Sequence, residues 1–209
     1  MSDPSVASVL LLDLDGVLRR WDPAINAEVE AEFGLSPGAL LSTAFASERL
    51  EAVVTGRMTD EQWREAITDE LAALVGADRA RAAVLAWSYS PGEVVADVLA
   101  LVRDVRASGH RVAIMTNATT RVRDDLARLD LVAELDEIFS SAELGVAKPD
   151  PRAYAAAVSR LGIAAEQIVY LDDSAANVAA VAAVGLRAHL FTTAERAYEV
   201  ARESGLLEG

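Results

Sequence analysis

Three stretches of the chain are apolar almost throughout and then stop on polar residues: Val6 to Leu12, "RVAIMTN" at 111–117 and "QIVYLDD" at 167–173. Runs of four to eight such residues, with no polar alternation, suit strands buried on both faces of a parallel sheet. "RAHLF" at 187–191 reads as a fourth strand and "DEIFS" at 136–140 as a fifth, weaker one.

The segments between these runs carry a helical period. "PGEVVADVLALVRDVRASGH" sets Val94, Val98, Leu101, Val102 and Val105 on one face and ends at Gly109, a residue that stops helices well. "DPRAYAAAVSRLG" offers Asp150 as N-cap, Pro151 in the first turn and Gly162 as the stop. "TTAERAYEVARES" opens with a capping-box spacing from Thr192 to Glu195. Strand and helix therefore alternate from residue 91 to the end, which predicts an α/β fold, a Rossmann-like doubly wound parallel sheet.

Residues 18–90 break the alternation. Asp22-Pro23 and Ser36-Pro37 read as helix starts, and Thr59 to Gln62 is another capping-box spacing. A structureless connection of this length is implausible, so the segment is expected to be a helical insert with its own small core. Trp21, Trp63 and Trp87, the chain's three tryptophans, fall inside it. Most are expected in that core, with one or two lining a substrate pocket.

Composition narrows the chemistry. The 209 residues suffice for one large domain, or for a domain carrying a smaller insert. A formal charge of -14 disfavours nucleic acid and anionic lipid as partners. The absence of cysteine excludes disulfides, thiolate catalysis and Cys-ligated zinc. The two histidines lie apart, His110 at a helix-to-strand junction and His189 in an expected strand, and both read as structural. Any metal should therefore be held by oxygen. The first apolar run has no basic segment before it and is broken by Asp13 and Asp15, unlike a secretory signal. No stretch approaches the roughly 18 uncharged apolar residues of a membrane span, so the expected compartment is the cytoplasm; the expected assembly is a monomer or homodimer.

In an open parallel sheet, ligands bind beyond the carboxyl ends of the strands. The first run ends in Asp13-Leu14-Asp15-Gly16, the second in Thr116-Asn117 and the third in Asp172-Asp173, while Lys148 precedes a helix start. Singly, each has an ordinary reading: Asp15 could close a turn with Gly16, Thr116 could begin one, and Asp172 or Asp173 could cap a helix. Jointly they would make a costly cluster of buried charge with no other occupant. Asp13, Asp172 and Asp173 would repel one another, and a hard divalent cation, usually Mg²⁺, relieves that. Thr116 can donate to a phosphate oxygen and Lys148 can neutralise its charge, so the set reads as phosphoryl transfer. Asp13 needs no activating base to attack phosphorus in line. Asp15, two residues on, can protonate the leaving alkoxide and later activate water.

Lys148 is the chain's one lysine beside 18 arginines. A compact ammonium on a flexible stem differs chemically from a planar guanidinium, and position 148 is read as needing the former.

Together these residues resemble the haloacid dehalogenase-like hydrolase superfamily. "LLLDLDGVL" is similar to its first motif, "IMTN" to its second, the lysine of "GVAKPDP" to its third and "VYLDDSAANVAAVAAVGL" to its fourth. The resemblance implies a Rossmann-like core of residues 1–17 and 91–209, with 18–90 as a small all-helical cap domain. It implies Asp13 as nucleophile and Mg²⁺ ligand, and Asp15 as acid/base with its carbonyl on the metal. Thr116, Asn117 and Lys148 match the phosphate-binding residues. Asp173 is assigned as the direct metal ligand and Asp172 as second in line, through water. The expected substrate is a small phosphorylated metabolite. Dehalogenases of the superfamily lack an aspartate at the place of Asp15, which favours a phosphatase here; dehalogenase or phosphomutase chemistry is the alternative. A phospho-accepting regulatory domain is the non-enzyme alternative, although such receivers carry the acidic pair at the first strand and lack a large insert. Asn177 is a candidate to orient the acidic pair, and Arg19, Arg20 and Trp21 follow the first motif closely enough to reach a substrate.

Overall fold

The computed structural model describes residues 7–181 and 184–208. Val6, where the first run was read to begin, lies outside them. In chain order the elements start with β1 (Val9–Leu12) and β2 (Arg19–Arg20). Five helices follow: α1 (Ile25–Phe33), α2 (Ala39–Ala44), α3 (Ser47–Val54), α4 (Asp60–Val75) and α5 (Ala77–Trp87). Next come β3 (Glu93–Val94), α6 (Ala96–Ala107), β4 (Arg111–Thr116), α7 (Val122–Arg128), β5 (Glu137–Ser140) and α8 (Ser141–Leu144). The chain continues through α9 (Pro151–Leu161), β6 (Ile168–Asp172), α10 (Ala175–Val181), β7 (Arg187–Leu190) and α11 (Ala194–Glu203).

Five strands form one parallel sheet in the order β5-β4-β1-β6-β7. All five strands expected from the apolar runs are there. Leu12 is level with Ile114 of β4 on one side and Leu171 of β6 on the other. The chain builds outward from β1 in one direction and then the other, so the order reverses at β1, the place where such sheets bind ligands.

Strand periodicity explains why the runs are apolar throughout. Leu10, Leu12, Val112, Ile114, Val169 and Leu171 face a cluster with Val98, Leu101, Val102 and Val105 of α6 and Val200 of α11. The alternate residues Val9, Leu11, Ala113, Met115, Ile168 and Tyr170 face Ala153, Tyr154, Ala157 and Leu161 of α9. With a period of two, a strand covered on both faces can spare no polar position.

Helices α1 to α5 bury a third cluster, including Val29, Leu40, Val53, Trp63, Ile67, Leu71 and Val84, with no member in common with the other two. Thr59 and Gln62 form the expected capping box at the start of α4. Asp150 caps α9, with Pro151 in its first turn and Gly162 beyond its end, as the sequence predicts.

Four details differ from the sequence reading. Residues 18–90 are not entered through helix: β2 pairs antiparallel with β3, so a two-strand ribbon carries the chain out of the sheet and back. Val94 belongs to that ribbon, and α6 starts at Ala96. Helices α1 and α2 begin two or three residues beyond Asp22-Pro23 and Ser36-Pro37; Asp22 instead accepts from the Ala24 amide at 2.9 Å. Thr193 rather than Thr192 caps α11, accepting from the Arg196 amide at 3.2 Å. The Thr192 to Glu195 spacing fits the capping-box rule, but the helix starts one residue later, so Thr193 caps it with Arg196 at the third position and no box forms. No helix among the described residues is long and apolar enough to cross a membrane.

Candidate active site

The reversal at β1 gathers the polar strand ends. Asp13 follows β1, and its amide donates to the Leu171 carbonyl at 2.8 Å, which fixes it beside the end of β6. Asp13, Asp172 and Asp173 each offer a carboxylate oxygen, all within 4.8 Å of one another. Lys148, on the stretch between α8 and α9, reaches in: its Nζ lies 2.9 Å from Asp13 Oδ1 and 2.7 Å from Asp172 Oδ2. Its side chain is 2% exposed.

Asp172 is fully buried and saturated. Its Oδ1 accepts from the Ser174 amide at 2.8 Å and from Asn177 Nδ2 at 3.0 Å. Its Oδ2 accepts from Lys148, from Asn177 Nδ2 at 3.0 Å and from the Tyr170 hydroxyl. Burial alone would raise its pKa, but Lys148, the Tyr170 hydroxyl and the Ser174 amide outweigh burial and hold it below the usual value. Burial, with Asp172 beside it, pushes the Tyr170 hydroxyl far up, so that group remains a donor. Asp13 behaves differently: burial pushes it up to about 7, with Lys148 pulling down and Asp172 pushing up. Its Oδ1 accepts from Lys148 and from the Leu14 amide at 2.7 Å, while among the described residues no donor reaches Oδ2. Asp173, which is exposed, is also raised, by the partial desolvation of its carboxylate and then by the charge of Asp172.

Three carboxylates face one ammonium, so the ionised cluster keeps an excess of negative charge that protein groups leave uncompensated. An all-oxygen donor set with this excess suits a hard divalent cation. Gly16 is part of the fit: its φ is +80°, and a Cβ there would lie 2.0 Å from Asp173 Oδ2.

The remaining expected residues divide. The Thr116 hydroxyl is buried and has no hydrogen-bond partner, an uncommon state that asks for one. Asn117 uses its side chain to fasten the lysine stretch, Nδ2 donating to the Lys148 carbonyl and Oδ1 accepting from the Lys148 amide, both at 2.8 Å. Both polar ends of its side chain are thus committed to the Lys148 main chain. Asp15 is held by other partners: Arg19 donates to both its oxygens at 2.7 and 3.0 Å, and Trp21 Nε1 donates at 2.8 Å. Arg20 instead turns outward to pair with Glu93.

A cavity of about 380 Å³ opens beside Asp15 and Asn117, between the sheet edge and helices α1 to α5. All three tryptophans border it, more than the one or two the sequence suggests. Trp63 and Trp87 meet at a tilt, 5.5 Å between ring centres, and Phe45 lies 6.2 and 6.4 Å from them. Buried Asp60 at the start of α4 ties the insert to the loop after Asn117: Thr119 Oγ1 donates to its carboxylate at 2.9 Å and its amide donates to Thr120 Oγ1 at 3.0 Å.

Sequence reasoning missed Tyr170, Asp60 and the Arg19 clamp on Asp15. Tyr170 was within reach, since a strand period of two puts it on the same face as Asp172. Asp60 has a local partner in Arg64 at 2.7 Å, but the two threonines that tie it to the sheet lie about sixty positions away, and nothing near it in the sequence signals them.

The haloacid dehalogenase-like hydrolase family model matches residues 7–185. With the fold and strand-end cluster above, the chain belongs to that family of hydrolases. A phosphoglycolate phosphatase of Cereibacter sphaeroides is 30% identical over 201 residues, covering 90% of this chain and 86% of the relative. A sesquiterpene phosphatase of Aspergillus oryzae is 26% identical over 177 residues, covering 84% and 85%. Among solved structures, a HAD family enzyme of Bacteroides thetaiotaomicron, a magnesium complex, superposes with a TM-score of 0.72 at 19% identity, covering 94% of this chain and 98% of its own. The L-2-haloacid dehalogenase of Xanthobacter autotrophicus gives 0.63 at 17% identity, covering 95% and 84%. These two likenesses are likenesses of fold.

Proposed function

We propose that the protein is a Mg²⁺-dependent phosphohydrolase that cleaves small phosphate monoesters through an aspartyl-phosphate on Asp13. The observation that carries this reading is the unpartnered, buried Thr116 hydroxyl at the strand end beside the Asp13–Lys148 pair, because a bound phosphate oxygen would give it its missing acceptor. The phosphatase names of the two relatives support the same reading. Asp13, Asp173 and the main-chain carbonyl of Asp15 would hold the cation, with Asp172 acting through water, since its own oxygens are already saturated. When bound, Mg²⁺ supplies positive charge to the carboxylates and the phosphate oxygens.

Asp13 Oδ2, the oxygen without a donor, attacks phosphorus as the bond to the ester oxygen breaks. Lys148 and the Thr116 hydroxyl hold the equatorial oxygens, and Asn117 contributes its main-chain amide. Asp15, carrying the proton it takes from water in the preceding turnover, exchanges its Arg19 and Trp21 donors for the leaving oxygen and gives that proton to it. It then takes a proton from the water that releases inorganic phosphate and restores Asp13. Residues 18–90 act as the cap domain over this site. Asp15 and the acidic pair favour this reading over halide displacement at carbon, which has no use for them.

The test is turnover of p-nitrophenyl phosphate with Mg²⁺ and with excess EDTA, alongside 2-haloacids. Hydrolysis that EDTA abolishes and Mg²⁺ restores is expected. Undiminished hydrolysis in EDTA, or halide release without phosphate release, refutes it.

A further inference from the structure

The cavity beside Asp15 has a chemistry of its own. Ile25, Phe45, Leu50, Val54, Trp63 and Trp87 supply much of its wall. The two indole N–H groups are committed elsewhere, Trp63 to the Ala44 carbonyl and Trp87 to Asn26 Oδ1, both at 2.9 Å. Their ring surfaces are what remain to meet a ligand. Among the described residues, Arg19 is the only cation in the wall. It is fully engaged, with Nε and one terminal nitrogen on Asp15 and the other 3.3 Å from the Pro91 carbonyl and 3.7 Å from Asp125. Asp15, Asp22 and Asp125 also line the space. A substrate carrying a carboxylate or a second phosphate would therefore meet three carboxylates against one guanidinium; when Asp15 turns to the leaving oxygen, Arg19 keeps its contacts with Pro91 and Asp125, and the balance of charge stays repulsive.

We propose that the substrates are phosphate monoesters of apolar, uncharged alcohols, aromatic or aliphatic, whose hydrocarbon fills this cavity while the phosphate lies at Asp13, Thr116 and Lys148. The proposal rests on the phosphatase reading above. At roughly 30 Å³ per water-sized group, about 380 Å³ holds roughly a dozen non-hydrogen atoms. An alcohol of about ten carbons fits that volume.

The purified protein with Mg²⁺ is assayed on esters of primary alcohols with comparable leaving groups: decyl phosphate, 2-(2-naphthyl)ethyl phosphate, glycerol 3-phosphate and phosphoglycolate, with p-nitrophenyl phosphate as the general control. The two apolar esters are expected to exceed the other two in kcat/KM by at least about tenfold, since each buried methylene contributes to discrimination. Phe45 is 47% exposed and borders the cavity, so Phe45→Ser is expected to fold and to lower the ratio of decyl to glycerol ester by about tenfold. Because every tryptophan borders the cavity, emission also reports occupancy without turnover: decylphosphonate should quench it at far lower concentration than phosphonoacetate. Hydrolysis of the control together with equal or better use of phosphoglycolate or glycerol 3-phosphate overturns the apolar substrate class and leaves the phosphatase reading standing. Failure to hydrolyse any ester, the control included, removes both.

Discussion

Lys148→Arg separates charge from shape at the centre of the site. The ammonium lies 2.7 and 2.9 Å from two carboxylates, with the Tyr170 ring 5.8 Å away and almost no solvent access. A guanidinium keeps the charge but needs more room and a planar approach that two carboxylates from different strands do not offer. Overpacking a full site costs about 1–3 kcal/mol, and for a chain of this length each kcal/mol moves Tm by roughly 2–4 °C. Catalysis should suffer more, since a displacement of about 1 Å at reacting groups can cost about 10²-fold. Lys148→Met gives the contrast. Removing one partner of a buried pair costs about 3–5 kcal/mol when the other stays charged, but Asp13, already raised to about 7, can take a proton and soften that loss. Arginine is expected to lower activity by about 10²-fold with a modest fall in Tm. Thermal denaturation and steady-state turnover of p-nitrophenyl phosphate at saturating Mg²⁺ measure both. A Lys148→Arg enzyme within about threefold of the parent would show that the position needs only charge, and the argument from shape would fail.

Asp13→Asn should lower turnover by on the order of 10³-fold or more while leaving circular dichroism unchanged; a variant keeping most of its activity would remove Asp13 as nucleophile. Asp172 and Asp173 should fail in different ways. Asp172→Ala strips Lys148, Tyr170, Ser174 and Asn177 of their shared acceptor and should lower unfolding stability by about 3–5 kcal/mol in urea. Asp173→Ala should change stability by less than about 1 kcal/mol yet raise the Mg²⁺ needed for half-activation; the reverse pattern would exchange their assignments. Gly16→Ala, with a Cβ 2.0 Å from Asp173 Oδ2 in a left-handed backbone, should cost about 1–2 kcal/mol from the backbone alone. It should also weaken Mg²⁺ activation, and an unaltered Mg²⁺ titration would show that Asp173 can move aside freely.

The sheet was legible because its strands are covered on both faces, which forces long apolar runs that end where the chain leaves the core. Those ends pointed directly to Asp13, Thr116, Asp172 and Asp173, and the approach to α9 to Lys148. The ribbon of β2 and β3 escaped because two-residue strands carry no period, and their pairing joins positions more than seventy residues apart. Asn117 shows a different limit. Its place after β4 was readable, but that its amide would clasp the Lys148 main chain depends on two loops meeting, which neither loop encodes alone. Arg19 lies three residues after Gly16 and could be placed near the site, yet its grip on Asp15 requires the turn at 15–19 to close first.

Asp60 bears on how readily this architecture could be recombined. Its bonds to Thr119 and Thr120 join the first turn of α4 to the segment that continues directly from Thr116 and Asn117. An insert transplanted from a relative would thus bring its own specificity only if it also brought an acidic residue to that turn. Without one, the graft would fold on its own core and dock out of register with the loop beneath it. The junctions for such an exchange lie in the β2–β3 ribbon, but compatibility is decided some forty residues inside the transplanted piece, at Asp60.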